Sequence, residues 1–419
     1  MRKVVISGMI GNALEWYDYA LYAQFVPIIA KNFFPESDLA ELMALAVFAA
    51  GSFMRPVGAV AFGTIGDKYG RKLALVIGIL TMAIPTACIG LLPSYASIGI
   101  TATIILCVIR LIQGFSLGGE FSGCIAYIVE HAPPEKRGLA GSAAFISMCV
   151  GMLLGTLTAA LMSMIMLPET LGDWGWRVPF IAGLFIGLVG LYIRVNLAES
   201  PLYEEAREKQ ELTKSPLSET VKYYWRELFV AVGLYIAVTA PFYTSTVYMD
   251  SFLQNLGYTR GQSTFVAIAI LITMIIVFPI SARLSDRIGR KPVLWWGCIA
   301  MVILSYPMIA VLDDIDPITA TCSQIALAAA IAFYMGPIPT VLIEIFPTKV
   351  RFTGVAVSYN LSVAIFGGTA PMMALLFERW TGNQFAVGYY LMILCLFSLY
   401  ILRSYKETYH KSLSEGKVM

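Results

Sequence analysis

Gly66-Asp67-Lys68-Tyr69-Gly70-Arg71-Lys72 and Ser285-Asp286-Arg287-Ile288-Gly289-Arg290-Lys291 are one motif written twice, 219 residues apart in a chain of 419. A second motif recurs at nearly the same distance. Glu130, Pro133 and Arg137 form the pattern E-x-x-P-x-x-x-R, and Glu344, Pro347 and Arg351 repeat it 214 residues later. Two motifs returning at half the chain length imply a duplicated unit. Each copy lies in a short polar gap between long apolar stretches, so the repeated unit is a set of hydrophobic helices.

Composition agrees with that reading. Hydrophobic residues make up 58% of the chain and charged ones only 13%, against about 25% charged in soluble domains. Mean hydropathy is +0.74, which leaves too little polar surface to cover a water-soluble globule of this size. A membrane-spanning helix needs about 20 mostly apolar residues. Windows of that length fall at roughly 5–30, 40–63, 73–92, 99–129, 138–166, 175–197, 227–251, 262–282, 292–312, 318–344, 352–377 and 384–403. Gly- and Pro-rich stretches inside them, such as Gly51 to Gly66 and Gly336 to Pro339, are compatible with helix, because neighbouring helices can satisfy the freed backbone groups. Arg2 and Lys3 before an apolar run imitate a secretory signal. Glu15 and Asp18 interrupt the run, which continues to Ala30, so it reads as an uncleaved first helix.

Basic residues set the orientation. With both ends in the cytoplasm, 23 Lys and Arg fall in inside segments and four, Lys31, Arg177, Arg260 and Arg379, fall outside. That asymmetry follows the positive-inside rule for a multi-pass protein of an inner or plasma membrane. The widest polar gap, Glu199 to Trp225, reads as a solvated amphipathic linker. The expected architecture is all-α and integral to the membrane: twelve helices in two pseudo-symmetric six-helix bundles, residues 1–198 and 226–404. The linker 199–225 joins them, and residues 405–419 form a short cytoplasmic tail.

Other classes are disfavoured. A net charge of +2 suggests no nucleic-acid partner. The seven cysteines lie scattered in apolar runs without a C-x-x-C spacing, and read as small core residues. His131 and His410 fall in a loop and the tail, so no metal site is expected. No Ser/His pairing or nucleotide loop points to an enzyme, and no cofactor is expected. The chain reads as a monomer among membrane lipids.

Further stretches narrow the assignment. Gly63 to Lys72 reads G-x-x-x-D-K-x-G-R-K. The first helix carries Gly11-Asn12-Ala13-Leu14-Glu15-Trp16-Tyr17-Asp18 and the second Met54-Arg55-Pro56-Val57-Gly58. The fourth runs from Arg110-Leu111-Ile112-Gln113-Gly114 to Gly118-Gly119-Glu120, and Trp174-Gly175-Trp176-Arg177-Val178-Pro179 precedes the sixth. Over essentially its whole length the chain resembles the metabolite:proton symporter family of the major facilitator superfamily. Its members carry proline and betaine, α-ketoglutarate, citrate or shikimate. The resemblance implies substrate held near the midplane between the halves and a proton gradient as energy source. It leaves a facilitator, a drug/proton antiporter and a non-transporting sensor as alternatives. The family's osmosensing device is a long C-terminal coiled coil; the sixteen residues after Arg403 contain no heptads, so gating by that device is not expected.

Ionisable groups inside spanning helices are expensive and must be paired or face water. Asp18 and Arg110, near the middle of helices 1 and 4, match the pair that couples the proton in related symporters. The guanidinium cannot lose its proton, so its distance from the carboxylate sets how readily the acid is loaded. A static pair fixing helix 1 to helix 4 is the competing reading. Glu15, three residues before Asp18 on nearly the same face, and Glu120 are further proton-carrying candidates. Arg55, read in the cytoplasmic half of helix 2, is a candidate for substrate contact or for helix-end pairing. Asn12, Gln113 and Asn360 are candidate hydrogen-bonding contacts. Trp16, Tyr17, Tyr22, Phe145, Tyr235, Tyr243, Phe333, Tyr334 and Tyr359 are aromatic residues at midplane depth that could surround a quaternary ammonium. The duplicated charges Asp67, Arg71, Glu130 and Arg137, with Asp286, Arg290, Glu344 and Arg351, are read as ion pairs of a cytoplasmic gate.

Overall fold

The computed structural model describes residues 1–37, 39–409 and 413; His410 and the remainder of the tail lie outside the described residues. Twelve long helical segments run through it: α1 (Arg2–Gln24, continued beyond Phe25 as Val26–Phe33), α2 (Ala40–Tyr69), α3 (Arg71–Leu91), α4 (Ile100–Glu130), α5 (Arg137–Ile165), α6 (Arg177–Val195), α7 (Trp225–Leu256), α8 (Arg260–Ile288), α9 (Arg290–Ala310), α10 (Pro317–Ile345), α11 (Arg351–Ser362, extended by Val363–Gly367 and Ala370–Thr381) and α12 (Val387–Ser404). No strand occurs among the described residues.

Eleven of the described helices are long and apolar enough to cross a membrane. The one that falls short is α1, and the cause is its composition rather than its length. It carries Asn12, Glu15 and Asp18, all buried, so its polar groups face protein while its length matches the other spans. α2 is longer than its apolar window. Running from Ala40 to Tyr69, it puts Arg55 at its midpoint and not in its cytoplasmic half.

Each half packs on itself, α1 against α5 and α3 against α6 in the first, α8 against α10 and α9 against α12 in the second. The halves meet along two seams, α2 with α11 and α5 with α8. These are corresponding positions in the two repeats, as parallel duplication requires. Three backbone irregularities fall on helices that line the junction. α2 bends at Met54 before Pro56, while α7 and α11 each contain one π-helical turn, Thr244–Tyr248 and Val363–Gly367. The segment expected as a solvated linker forms two short helices, Pro201–Glu208 and Pro216–Tyr223. Tyr203, Ala206 and Thr220 of these helices are buried.

Candidate functional site

At the helix ends that carry them, the duplicated motifs become duplicated geometry. The Asp67 carboxylate, at the end of α2, accepts the backbone N–H of Phe352 (3.1 Å) and Thr353 (2.9 Å), the first turn of α11. Asp286, at the end of α8, accepts the N–H of Gly138 and Leu139, both at 2.8 Å, the first turn of α5. A carboxylate at a helix N-terminus satisfies free donors and meets the positive end of the helix dipole. Arg71 pairs with Asp67 and Glu130 (both 3.2 Å), and Arg290 with Asp286 (2.7 Å) and Glu344 (3.1 Å). Arg351 reaches Glu130 across the seam at 2.9 Å. Arg137, the matching residue of the first half, lies within electrostatic reach of Glu344. Every one of these eight side chains is buried, and this face of the bundle is closed.

The repeat extends one step further. Glu199 caps α3 by accepting the N–H of Arg71 and Lys72, and its neighbour Ser200 hydrogen-bonds Glu130. Glu407 caps α9 through the N–H of Arg290 and Lys291, and its neighbour Thr408 hydrogen-bonds Glu344. The Glu-Ser and Glu-Thr pairs lie 208 residues apart. Sequence reasoning misses this third repeat, although its spacing is visible in the chain.

Within the first half, α1 holds two carboxyls, Glu15 and Asp18, inside the bundle. Asp18 accepts from Arg110 (2.6 Å), Gln113 (3.1 Å) and Thr86 (3.0 Å). The Arg110 guanidinium lies 3.8 Å from the Tyr22 ring centre, and its Nε and Nη2 have no acceptor. Toward the Asp67 end of the bundle Glu120 is paired with Arg194, which also donates to the carbonyls of Ser7 and Leu75. Glycine makes room for this pair: a Cβ at Gly11 or Gly78 would run into the Glu120 carboxylate. Arg194, counted with the cytoplasmic charges by topology, is 2% exposed. Between these two pairs stands Glu15, 2% exposed, with neither carboxyl oxygen hydrogen-bonded.

At the junction Arg55 of α2 reaches across to the second half. It donates to the Tyr359 hydroxyl (2.6 Å) and the Asn360 side-chain oxygen (3.2 Å), and Asn360 in turn donates to the Gly118 carbonyl (2.8 Å). Beside Tyr359 lies a small cavity walled by Trp16, Phe145, Tyr235, Phe242 and Tyr243, with room for about one water molecule. Its rings touch one another: Trp16 stands 5.8 Å from Phe242 and 6.4 Å from Tyr243, and Tyr235 meets Tyr359 edge-on at 5.2 Å. The indole N–H of Trp16 has no acceptor.

Trp16, Arg55, Phe145, Tyr243 and Asn360 are thus gathered at one point, together with Tyr235 and Tyr359. Gln113 belongs to the Asp18–Arg110 network. Four of the remaining polar and aromatic candidates bond elsewhere. Asn12 donates to Ala144 and Ser147, fastening α1 to α5. Tyr17 donates to the Pro179 carbonyl, Tyr22 to that of Ala44, and Tyr334 to that of Leu234. None of these four, nor Phe333, lines the cavity.

Known proteins share this architecture. The sequence profile of the Major Facilitator Superfamily matches residues 8–368. A proline/betaine transporter of Escherichia coli (strain K12) is 36% identical over 425 aligned positions, covering 99% of this chain and 85% of the relative. A glycine betaine/proline/ectoine/pipecolic acid transporter of Dickeya dadantii shows the same identity and coverage. Among solved structures, the proton:xylose symporter XylE bound to 6-bromo-6-deoxy-D-glucose superposes with a TM-score of 0.81 at 20% identity, covering 99% of this chain and 97% of the other.

Proposed function

This chain belongs to the major facilitator superfamily, and from that premise we propose that it is a proton-driven symporter importing a small zwitterionic osmolyte of the proline or betaine type by alternating access. The observation that carries this reading is Arg55 at the junction of the halves. Its cation is met only by neutral acceptors of the second half, and aromatic faces stand beside it. A betaine has the complementary form. Its carboxylate would replace Tyr359 and Asn360 at the guanidinium, and its quaternary ammonium would lie against Trp16, Tyr235 and Tyr243, where cation–π attraction contributes about 0.5–2 kcal/mol. The names of the two relatives support the same class.

The present conformation leaves no space for such a ligand, so loading requires Trp16 on α1 to part from Phe242 and Tyr243 on α7. Release requires the two cytoplasmic seams to separate. In this reading Asp18, held by Arg110, receives the proton from the outer side, and the Asp67 and Asp286 contacts form the gate. The 23-to-4 basic asymmetry supports both termini in the cytoplasm and residence in the inner membrane. No cofactor enters the cycle; the partners are solute, proton and lipid.

The test is uptake by proteoliposomes under an imposed pH gradient, with labelled glycine betaine, proline, α-ketoglutarate and choline. Accumulation of betaine or proline, but not of choline, is expected. Equilibration without accumulation would make the protein a facilitator, and preference for α-ketoglutarate would overturn the zwitterion site.

A further inference from the structure

Among the described residues, Arg71, Arg110, Arg194, Arg290 and Arg351 are buried, and each makes an ion pair with Asp or Glu. Arg55 is buried equally, at 3% exposure, yet no carboxylate among the described residues comes within the 4.0 Å of an ion pair. One buried acid nearby lacks a partner of its own: Glu15, whose two oxygens have no donor. Glu15 and Arg55 are within electrostatic reach of one another. A buried cation without a counterion and a buried carboxyl without a donor are each costly. Within reach of one another, they are the two halves of a pair held open.

The geometry points to a competition at Arg55. Glu15 and the substrate carboxylate are alternative partners of the same guanidinium, and a proton on Glu15 is what frees Arg55 for substrate. In the empty carrier, ionised Glu15 pairs with Arg55 and the two charges cancel. Protonated Glu15 releases the guanidinium, which then takes the substrate carboxylate. On the cytoplasmic side, loss of the proton restores the Glu15–Arg55 pair and expels the solute. One proton enters with each zwitterion, and no other bond is made or broken. This inference rests on the reading of Arg55 as the partner of the substrate carboxylate, and it places the substrate-linked step at an acid one helical turn inward from Asp18, with Asp18 as the outer station through which the proton reaches it.

The other groups around Glu15 leave Arg55 as its partner. Asp18 on its own helix and Glu120 on α4 also act on it, but each already has an arginine, Arg110 and Arg194. Cys124 of α4, Tyr235 and Tyr243 of α7 and Tyr359 of α11 are the other titratable groups facing it. All four are neutral in their ordinary protonation state at pH 7. Arg55 is therefore the cation open to it.

The experiment is binding of labelled glycine betaine to purified protein between pH 5 and 9, for the wild type, Glu15→Gln, Asp18→Asn and Arg55→Gln. If substrate and Glu15 compete, wild-type affinity weakens about tenfold per pH unit once Glu15 is ionised, by proton linkage. Glu15→Gln, a permanently neutral isostere, keeps the tight affinity at all pH values. Asp18→Asn retains the pH dependence. In the wild type alone, adding betaine to weakly buffered protein at high pH must draw about one proton from solution per site, read with an indicator dye; this holds even if Glu15→Gln fails to fold. A pH-dependent affinity that survives in Glu15→Gln, or no proton uptake, overturns the competition while leaving the site intact. Undiminished betaine binding by Arg55→Gln overturns the site itself.

Discussion

Replacing Asp67 by Asn changes one oxygen to NH2 in a side chain with no solvent exposure. The carboxylate presents one oxygen to the Phe352 N–H and the other to that of Thr353. An amide can accept only one of these and turns its own N–H toward the other. The Asp67→Asn variant thus loses a charge-assisted hydrogen bond and leaves a donor of α11 unsatisfied. A net hydrogen bond to a charged group contributes about 1.5–3 kcal/mol. That loss falls wholly on the closed cytoplasmic seam, because the donor regains water when the seam parts. At about 1.4 kcal/mol per tenfold, the equilibrium shifts about 10- to 150-fold toward the cytoplasm-open form. Arg71 keeps Glu130, so insertion and folding are spared. Asp286→Asn breaks the matching contact with Gly138 and Leu139 and should shift the equilibrium as much. Because the two contacts lie on separate seams and break in one transition, the double variant should multiply the two shifts. Spin labels at Tyr69 and Ile288, both exposed at cytoplasmic helix ends, in a background without the native cysteines, read the population directly. An unchanged distance distribution in both single variants would refute the reasoning and reduce the two aspartates to topology signals.

Asp18→Asn should bind and exchange substrate across liposome membranes yet fail to accumulate it under a pH gradient; normal accumulation would move the outer proton site elsewhere. Arg194→Ala leaves Glu120 buried without its cation, a change of the kind that costs about 3–5 kcal/mol. Pairing Arg194→Gln with Glu120→Gln should recover much of the thermal stability, and no recovery would show that the loss comes from the carbonyls of Ser7 and Leu75. Glu199→Ala and Glu407→Ala each remove a helix cap, expected at about 0.5–2 kcal/mol. Calorimetry should find comparable losses in the two variants, and a silent Glu407→Ala would break the proposed equivalence of the halves.

Asp67 and Asp286 can be picked out from the chain because their motif recurs with polar residues of both signs, which a topology signal alone does not need. Their partners cannot. Phe352, Thr353, Gly138 and Leu139 take part through backbone N–H groups, which leave no trace in residue type. Arg194 is misplaced by sequence for a related reason. An arginine at the end of an apolar window reads as cytoplasmic, and its burial depends on Glu120, 74 residues away on another helix. Sequence sets Arg55 too near the cytoplasm because the apolar window stops at 63, whereas the helix continues to Tyr69 through the charged motif. Asp18 and Arg110 are legible as intramembrane charges of opposite sign. Glu15 looks equivalent to Asp18 in sequence, and only the packing separates a carboxyl with three donors from one with none.

The duplicated halves divide the labour of transport. At their cytoplasmic ends they are near copies: an aspartate on a helix N-terminus, an arginine bridging two acids, a glutamate capping the next helix. Deeper within the bundle they have diverged. The first half carries Glu15, Asp18, Arg55, Arg110, Glu120 and Arg194. The second has no Asp, Glu, Lys, Arg or His at all within 228–249, 261–282, 292–312, 318–343, 352–377 or 387–402. It offers Tyr235, Tyr243, Tyr359 and Asn360 instead. A rocking carrier needs symmetric gates, because both seams must open together. It needs no symmetry in the site, and charge kept in one half lets a proton be passed along α1 without crossing the moving interface. Arg55 is the exception that reaches over that interface, and so it is the point where a change of charge can be felt by both halves.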